Sequence, residues 1–401
     1  MLNRRLFLGA TAFSISVILS AGSAFAQDTK PIKIGLLTVM SGPAAFFGKN
    51  SKVGAELAIK EINDKGGIAG RKIELVIGDD QGNPTAAVNE ARRLALSEKV
   101  DVIVGPAFSQ LVLATAPILT EAKVLSFSIA GAPTLTPQVL PYHFSILSHG
   151  GMHAAAAADL FQNVAKIKTV AIIADDTTNS KETLALLKSA IEKTSVKLVG
   201  EQTFQFTSTD MTPQLLQLKR SNPDMLYILS GNADAISTIM AERNELDWSV
   251  PLVGNSIAVL YPSAKKKLGP DAYKNTLGQY YKKNTICPGE DSSKQPYGQF
   301  YSRLKAYVGD EKLKDLAANN VGWVYDQVQV FKTAVESNGG KTDGPTLASW
   351  IEQNASKLHI VSTSVSVSKD NHFFMPKEDV IFVKDVGDAD AYGMRVREGC
   401  M

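Results

Sequence analysis

The stretch 32–67, IKIGLLTVMSGPAAFFGKNSKVGAELAIKEINDKGG, decides the fold. It opens on an apolar run, IKIGLLTV (32–39), the pattern of a strand buried on both faces, and turns on Gly42-Pro43. It continues into SKVGAELAIKEINDKGG (51–67), where Val53, Leu57, Ala58 and Ile62 fall at helical spacing and Gly66-Gly67 close the helix. Strand, loop and helix in that order make one unit of a parallel α/β sheet. The loop places Phe46 beside Phe47. Adjacent residues cannot both face one core on a regular backbone, so at least one ring needs another partner: protein, ligand or solvent.

The unit recurs. KIELVIGDD is a second strand, NPTAAVNEARRLALSEK a helix capped by Asn83 with Pro84 first, and VDVIVGP a third strand. SQLVLATAPILTEAK and VLSFSIA add another helix and strand. After residue 150 the plan restarts: TVAIIADD (169–176), KETLALLKSAIEKT, KLVGEQTFQF, TPQLLQLKRSNP, DMLYILSG (224–231), ADAISTIMAERNE and PLVGNS. Two doubly wound α/β lobes are predicted, with the working surfaces at the carboxyl ends of their strands.

Chemistry-bearing motifs are missing. No GxGxxG follows a strand, and no GxxxxGK[ST], HExxH or GxSxG occurs. GGIAG (66–70) closes a helix and reads as a turn. Among five histidines only His149 and His153 have a metal-like i, i+4 spacing, and they fall where a helix begins, so no metal site is assigned. No catalytic residue is assigned either: Ser109 at a strand end superficially suits a nucleophile, but no histidine accompanies it in a motif.

The start, MLNRRLFLGATAFSISVILSAGSAFA, pairs two arginines with an apolar stretch and a small-x-small end at Ala24-Phe25-Ala26. That is the pattern of a signal peptide over residues 1–26, by either the general secretory or the twin-arginine route. Its removal takes away Arg4 and Arg5, bringing 42 Lys and Arg to parity with 40 Asp and Glu. A neutral chain whose longest basic run is KKK (265–267) does not suit nucleic acid. No later segment is long and apolar enough to span a bilayer, and no cysteine stands at the cleavage site to carry lipid. The two cysteines, Cys287 and Cys400, suit a disulfide in an oxidising compartment, or two separate thiols.

The strand-end loops add a resemblance. GLLTVMSGPAAFFGKNSKVGAELAIKEINDKGGIAGRKIELVIGDDQGNP, followed in order by VDVIVGPAFSQ, AGAPTLT, TVAIIADD, DMLYILSG and PLVGN, resembles periplasmic binding proteins of the leucine/isoleucine/valine type. These are solute receptors of ABC importers, and the match weakens after about residue 280. The resemblance implies a type I periplasmic binding protein fold: two Rossmann-like lobes joined by three crossovers. Lobe 1 would comprise 27–147 and 276–366, and lobe 2 would comprise 148–275 and 367–401. It implies a ligand in the cleft, hinge closure, no cofactor, no enzymatic chemistry, permease subunits in the inner membrane as partners, and a monomer. A related alternative is the sensing subunit of a signalling complex.

The resemblance also nominates site residues. Phe47 matches the family's aromatic on the cleft wall, or it is a lobe-edge core residue; Phe46 stays open. Ala107, Phe108 and Ser109 occupy the turn that presents a hydroxyl to the ligand carboxylate. Ser109 opens a helix, where free N–H groups favour an anion, although a bare N-cap serine is the alternative. Ala130 and Gly131 match a loop that offers a backbone amide. Asn179 and Gly231, the latter next to Asn232, stand where the family has cleft tyrosines. Asn320, in the weaker carboxyl-terminal part of the match, completes the set.

Ser256 marks the sharpest departure. Members that bind amino acids place a glutamate there for the ligand ammonium. An ammonium in a closed cleft without a carboxylate would cost several kcal/mol. Either the ligand lacks an α-ammonium, or Asp175, Asp176 or Asp234 supplies the acid, their alternative role being to cap the next helix. An apolar carboxylate is therefore expected: an aromatic acid, a 2-oxo acid or a similar compound, facing Phe47 and Phe108 and anchored at Ser109. Branched-chain or other amino acids are the alternative.

Overall fold

In this computed structural model, which describes residues 30–42, 44–254, 268, 276–384 and 389–397, the alternation closes into two sheets. The first holds β1 (Ile32–Thr38), β2 (Ile73–Asp79), β3 (Val102–Val104), β4 (Leu125–Ser128) and β5 (His143–Ser145). Their order is β2-β1-β3-β4-β5, parallel throughout. The second holds β6 (Thr169–Asp175), β7 (Lys197–Phe204), β8 (Met225–Leu229), β9 (Leu252–Gly254) and β10 (Thr276–Tyr281). A short pair, β11 (Thr285–Ile286) with β13 (Arg395–Val396), lies apart, and β12 (Val380–Lys384) joins the second sheet antiparallel to β10.

From its far edge the second sheet runs β7-β6-β8-β9-β10-β12, repeating the order of the first. In both, the first strand lies between the second and the third, so the chain reverses direction there and leaves a crevice at the carboxyl ends. Those switch points are β1/β3 in one lobe and β6/β8 in the other.

The helices cover these sheets: α1 (Ala45–Asp64), α2 (Pro84–Arg92), α3 (Ser109–Glu121), α4 (Gly150–Asp159), α5 (Thr178–Ile191), α6 (Thr212–Arg220) and α7 (Ala233–Glu245). Asn83 accepts from the Thr85 and Ala86 N–H groups with Pro84 at the first position, the expected start of α2. Ile32, Ile34 and Leu36 are sealed beneath α1, while Leu37 faces a second cluster with Leu94 and Ile103. Burial on both faces is why β1 reads as an unbroken apolar run.

Four expectations need correction. First, α1 begins at Ala45, not near residue 51, so Phe46 and Phe47 lie in its first turn, not in a loop. Gly48 permits this: a Cβ there would stand 2.0 Å from the Val39 carbonyl oxygen. Second, the return to the first lobe expected at 276 comes later, because Thr276–Tyr281 pairs with β9 and β12 in the second sheet. Third, residues 372–374 still pair with β5, Phe374 N–H donating to the Ser145 carbonyl at 2.8 Å, so the crossing expected at 366/367 falls between there and β12. Fourth, β5 has no counterpart in the sequence reading, since three residues are too few to show a period.

The helix Ala318–Ser337 returns along α1. Gly54 sets that approach, since a Cβ there would lie 2.3 Å from the Val321 carbonyl oxygen. Cys287 is disulfide-bonded; Cys400, residues 1–26 and the 265–267 lysines lie outside the described residues. No helix among the described residues is long and apolar enough to cross a membrane.

Candidate functional site

The two switch points face each other. Phe47, in the first turn of α1, meets Phe108, which precedes α3, edge-on at 5.5 Å between ring centres. Phe108 in turn meets Phe206 of the second lobe at 5.5 Å, again edge-on. With Phe46 at 6.2 Å from Phe47, four rings form a series across the cleft mouth. Phe206 was missed because the sequence reading took it as part of a strand; β7 ends at Phe204 and frees it to turn toward the cleft.

Behind the rings, between the lobes, lies a cavity of about 110 Å³. Phe47, Ala107, Phe108, Ser109, Gly131, Asn179, Gly231 and Asn320 line it, together with Gln110, Ile129, Leu147, Ser148, His153, Thr177, Thr183, Leu229, Tyr281 and Trp323. None of these side chains is an Asp, Glu, Lys or Arg.

Two nominated residues stand off this lining. Ala130 is packed with Val112 and Ala116, and its carbonyl accepts from Ser145 Oγ at 2.6 Å. Asn232 caps α7, its Oδ1 accepting from Asp234 and Ala235 N–H while Nδ2 donates to the Phe206 carbonyl at 2.6 Å. The cap consumes the side chain that the resemblance had offered to a ligand. Ser256 lies outside the described residues.

Ser109 does not cap α3. It is the first helical residue, 2% exposed, and its Oγ accepts from the Ala132 N–H at 3.1 Å. Accepting there leaves the hydroxyl proton free to donate into the cavity. The amides of Ser109, Gln110 and Gly131 make no hydrogen bond among the described residues, so hydroxyl, helix end and loop offer neutral donors for an anion. Gly131 carries no hydroxyl, and the Asn179 amide stands across from it.

The three acids nominated to replace the missing glutamate stand away from the described cavity lining. Asp175 is buried; its Oδ1 accepts from Thr177 N–H and Oγ1, and its Oδ2 from the Gly231 N–H at 2.7 Å. That bond also takes the Gly231 amide. Asp176 Oδ1 accepts from Phe206 N–H at 2.9 Å, and Asp234 sits exposed in the first turn of α7. Asp175 and Asp176 tie loops, and none of the three lines the cavity.

The hinge side of the cavity is built from the two lobes together. Tyr281, at the end of β10, and Trp323 pack edge-on at 5.7 Å. His153, on α4, holds Ser148 Oγ at 2.8 Å through Nε2, and burial pushes its imidazole down to about 4, so it is neutral at pH 7. His149 is spent on the start of α4, its Nδ1 accepting from Gly151 N–H. Trp323 and His153 were not nominated from the sequence as ligand contacts. An i, i+3 relation to Asn320 was the signal that could have found Trp323.

The sheet order, the facing switch points and the cavity between them describe a two-lobed receptor, and comparison with known proteins agrees. The family described as periplasmic binding protein matches residues 31–383. This chain belongs to that family. The periplasmic binding protein type 1 from Bordetella pertussis superposes with a TM-score of 0.77 at 25% identity, covering 88% of this chain and 96% of that one. Leu/Ile/Val-binding protein homolog 3 of Brucella melitensis is 29% identical, over 85% of this chain and 87% of its own length. A solute-binding protein of an R. palustris ABC transporter, solved in complex with 4-hydroxybenzoate, has a TM-score of 0.70 at 25% identity, covering 79% of this chain and 83% of that one. The chain is thus a periplasmic binding protein of the leucine/isoleucine/valine-binding type with the type I fold.

Proposed function

We propose that this periplasmic binding protein is the solute receptor of an ABC importer, exported by a signal peptide over residues 1–26. It closes its lobes around a small apolar carboxylate without an α-ammonium, an aromatic or 2-oxo acid, and hands it to permease subunits. The observation that carries the ligand class is the absence of a charged side chain among the described lining residues. Ser109 and the start of α3 can hold a carboxylate with neutral donors, and Phe47, Phe108, Tyr281 and Trp323 can wall an apolar body. An ammonium would enter without an anionic partner among the described lining residues, at a cost of several kcal/mol.

Amino-acid binding is the second reading, favoured by the name of the Brucella relative. Thermal-shift screening of protein stripped of bound ligand separates the two. Stabilisation by benzoate-like or 2-oxo acids, and none by leucine or valine, is the expected result. The reverse pattern would replace the first reading with the second.

A further inference from the structure

Asn320 and Trp323 lie three residues apart on the helix Ala318–Ser337, hence on one face, and both reach the cavity. Asn320 is 1% exposed, yet neither Nδ2 nor Oδ1 makes a hydrogen bond among the described residues. Trp323 is 3% exposed and its Nε1–H is likewise unpartnered. From the opposite lobe buried His153, held to Ser148 Oγ and interacting with the Gln279 side chain, lines the same cavity. The adjacent Asn319 shows the contrast: its Oδ1 accepts from Tyr280 and Tyr297 hydroxyls at 3.2 and 2.6 Å, and its Nδ2 donates to Asn284. Buried polar groups are ordinarily paired, so several unpaired atoms around one cavity point to a group that arrives from outside.

We infer that Asn320, Trp323 and His153 form a second polar subsite that takes an uncharged hydroxyl of the ligand, remote from its carboxylate. This rests on the carboxylate reading above and extends it. Trp323 can only donate, so the incoming group must accept; Asn320 Oδ1 can only accept, so it must also donate. A hydroxyl does both. A second carboxylate would face Oδ1 with no proton to give, and an ammonium would face Trp323 with no lone pair. His153 is neutral and its lobe moves with closure, so the subsite is complete only when both lobes engage the ligand. Ile129, Leu147 and Leu229 supply apolar surface for the ligand body.

The test is titration calorimetry of stripped full-length mature protein with benzoate, phenylacetate and 3-phenylpropanoate, each against its 4-hydroxy counterpart, and with leucine. Because buried groups built to bond a hydroxyl reject the analogue without it, at least one 4-hydroxy acid binds roughly tenfold or more tightly than its parent. In Asn320→Leu and Trp323→Phe that ratio falls to within about twofold, whatever happens to the parent acid, since Trp323 also walls the ligand body; circular dichroism confirms the fold, and Trp323→Phe serves if Asn320→Leu does not fold. Equal affinities in every pair, as a water resident in the subsite would give, overturn the hydroxyl subsite alone. Binding of leucine without any of the acids, or of nothing tested, overturns the carboxylate reading and the subsite with it.

Discussion

Phe108 and Phe206 come from different lobes and meet edge-on, ring centres 5.5 Å apart and planes at 84°. Such a pair contributes about 0.5–1.5 kcal/mol beyond burial, and under the proposed closure it would form only in the shut cleft. Phe206→Ala should therefore weaken ligand binding about two- to tenfold while leaving unfolding of the unliganded protein little changed. A double-mutant cycle with Phe108→Ala would read the coupling directly. Additive losses would mean that the rings do not contribute to closure as a pair.

Ser109 Oγ carries one hydrogen bond and has one proton still to give. Its Oγ accepts from Ala132 N–H, and its own proton remains for the ligand. Ser109→Ala should cost about 1–3 kcal/mol of stability, because a buried amide loses its acceptor, and should also reduce carboxylate affinity about tenfold. Ser109→Thr, which keeps the hydroxyl, should restore most of both. Denaturation midpoints and calorimetry on the two variants separate the effects; an Ala variant with normal affinity would remove Ser109 from the ligand's contacts.

How much was legible follows from the physics of each feature. The strands showed because both their faces are buried, and α7 was read at its observed bounds because Asn232 caps it and its pattern is continuous. The start of α1 was hidden: Ala44 gives no side-chain cap, and the reason the helix reaches back to Ala45 is the contact of Gly48 with β1, a tertiary fact. The same held for the lobe crossings, since β10 and β12 join the second sheet through partners far away in sequence. In the site, Phe47, Ser109 and Gly131 were nominated by the resemblance of their strand-end loops to the family. Trp323 was legible only through its i, i+3 relation to Asn320, and His153 joins the site only through packing of whole helices, which no local pattern encodes.

Thr134 and Glu182 make a second link across the cleft. The loop after β4 gives its Thr134 N–H and Oγ1 proton to the Glu182 carboxylate on α5, at 3.2 and 3.0 Å. Thr134 is exposed and the pair is reached by solvent, so about 0.5–1 kcal/mol is a fair magnitude. Glu182→Ala should raise the ligand dissociation rate about two- to fivefold with little change in association, as measured by stopped-flow fluorescence. The effect should shrink at high salt only slightly, since the bonded partner is a neutral hydroxyl and amide. An unchanged dissociation rate would show that this link does not hold the closed state.

His143 supplies the pH dependence. Its ring is buried with Nδ1 at 2.9 Å from Ser126 Oγ and Nε2 at 2.9 Å from Ser128 Oγ. Burial, with the neighbouring His372 adding to it, pushes the imidazole down to about 3, and burial, with His149 adding to it and the Gln279 side chain opposing, takes His153 to about 4. In the unfolded chain both titrate near 6.5. Below that value the unfolded state binds protons that the folded state refuses. Stability that is full above pH 6.5 is therefore lost as pH falls toward 4 and 3, by about 1.4 kcal/mol per pH unit for each ring. His143→Gln should start from a lower stability at pH 7 but show a shallower fall between pH 6 and 4 in urea unfolding. A variant with the wild-type slope would mean that His143 takes its proton in the folded protein.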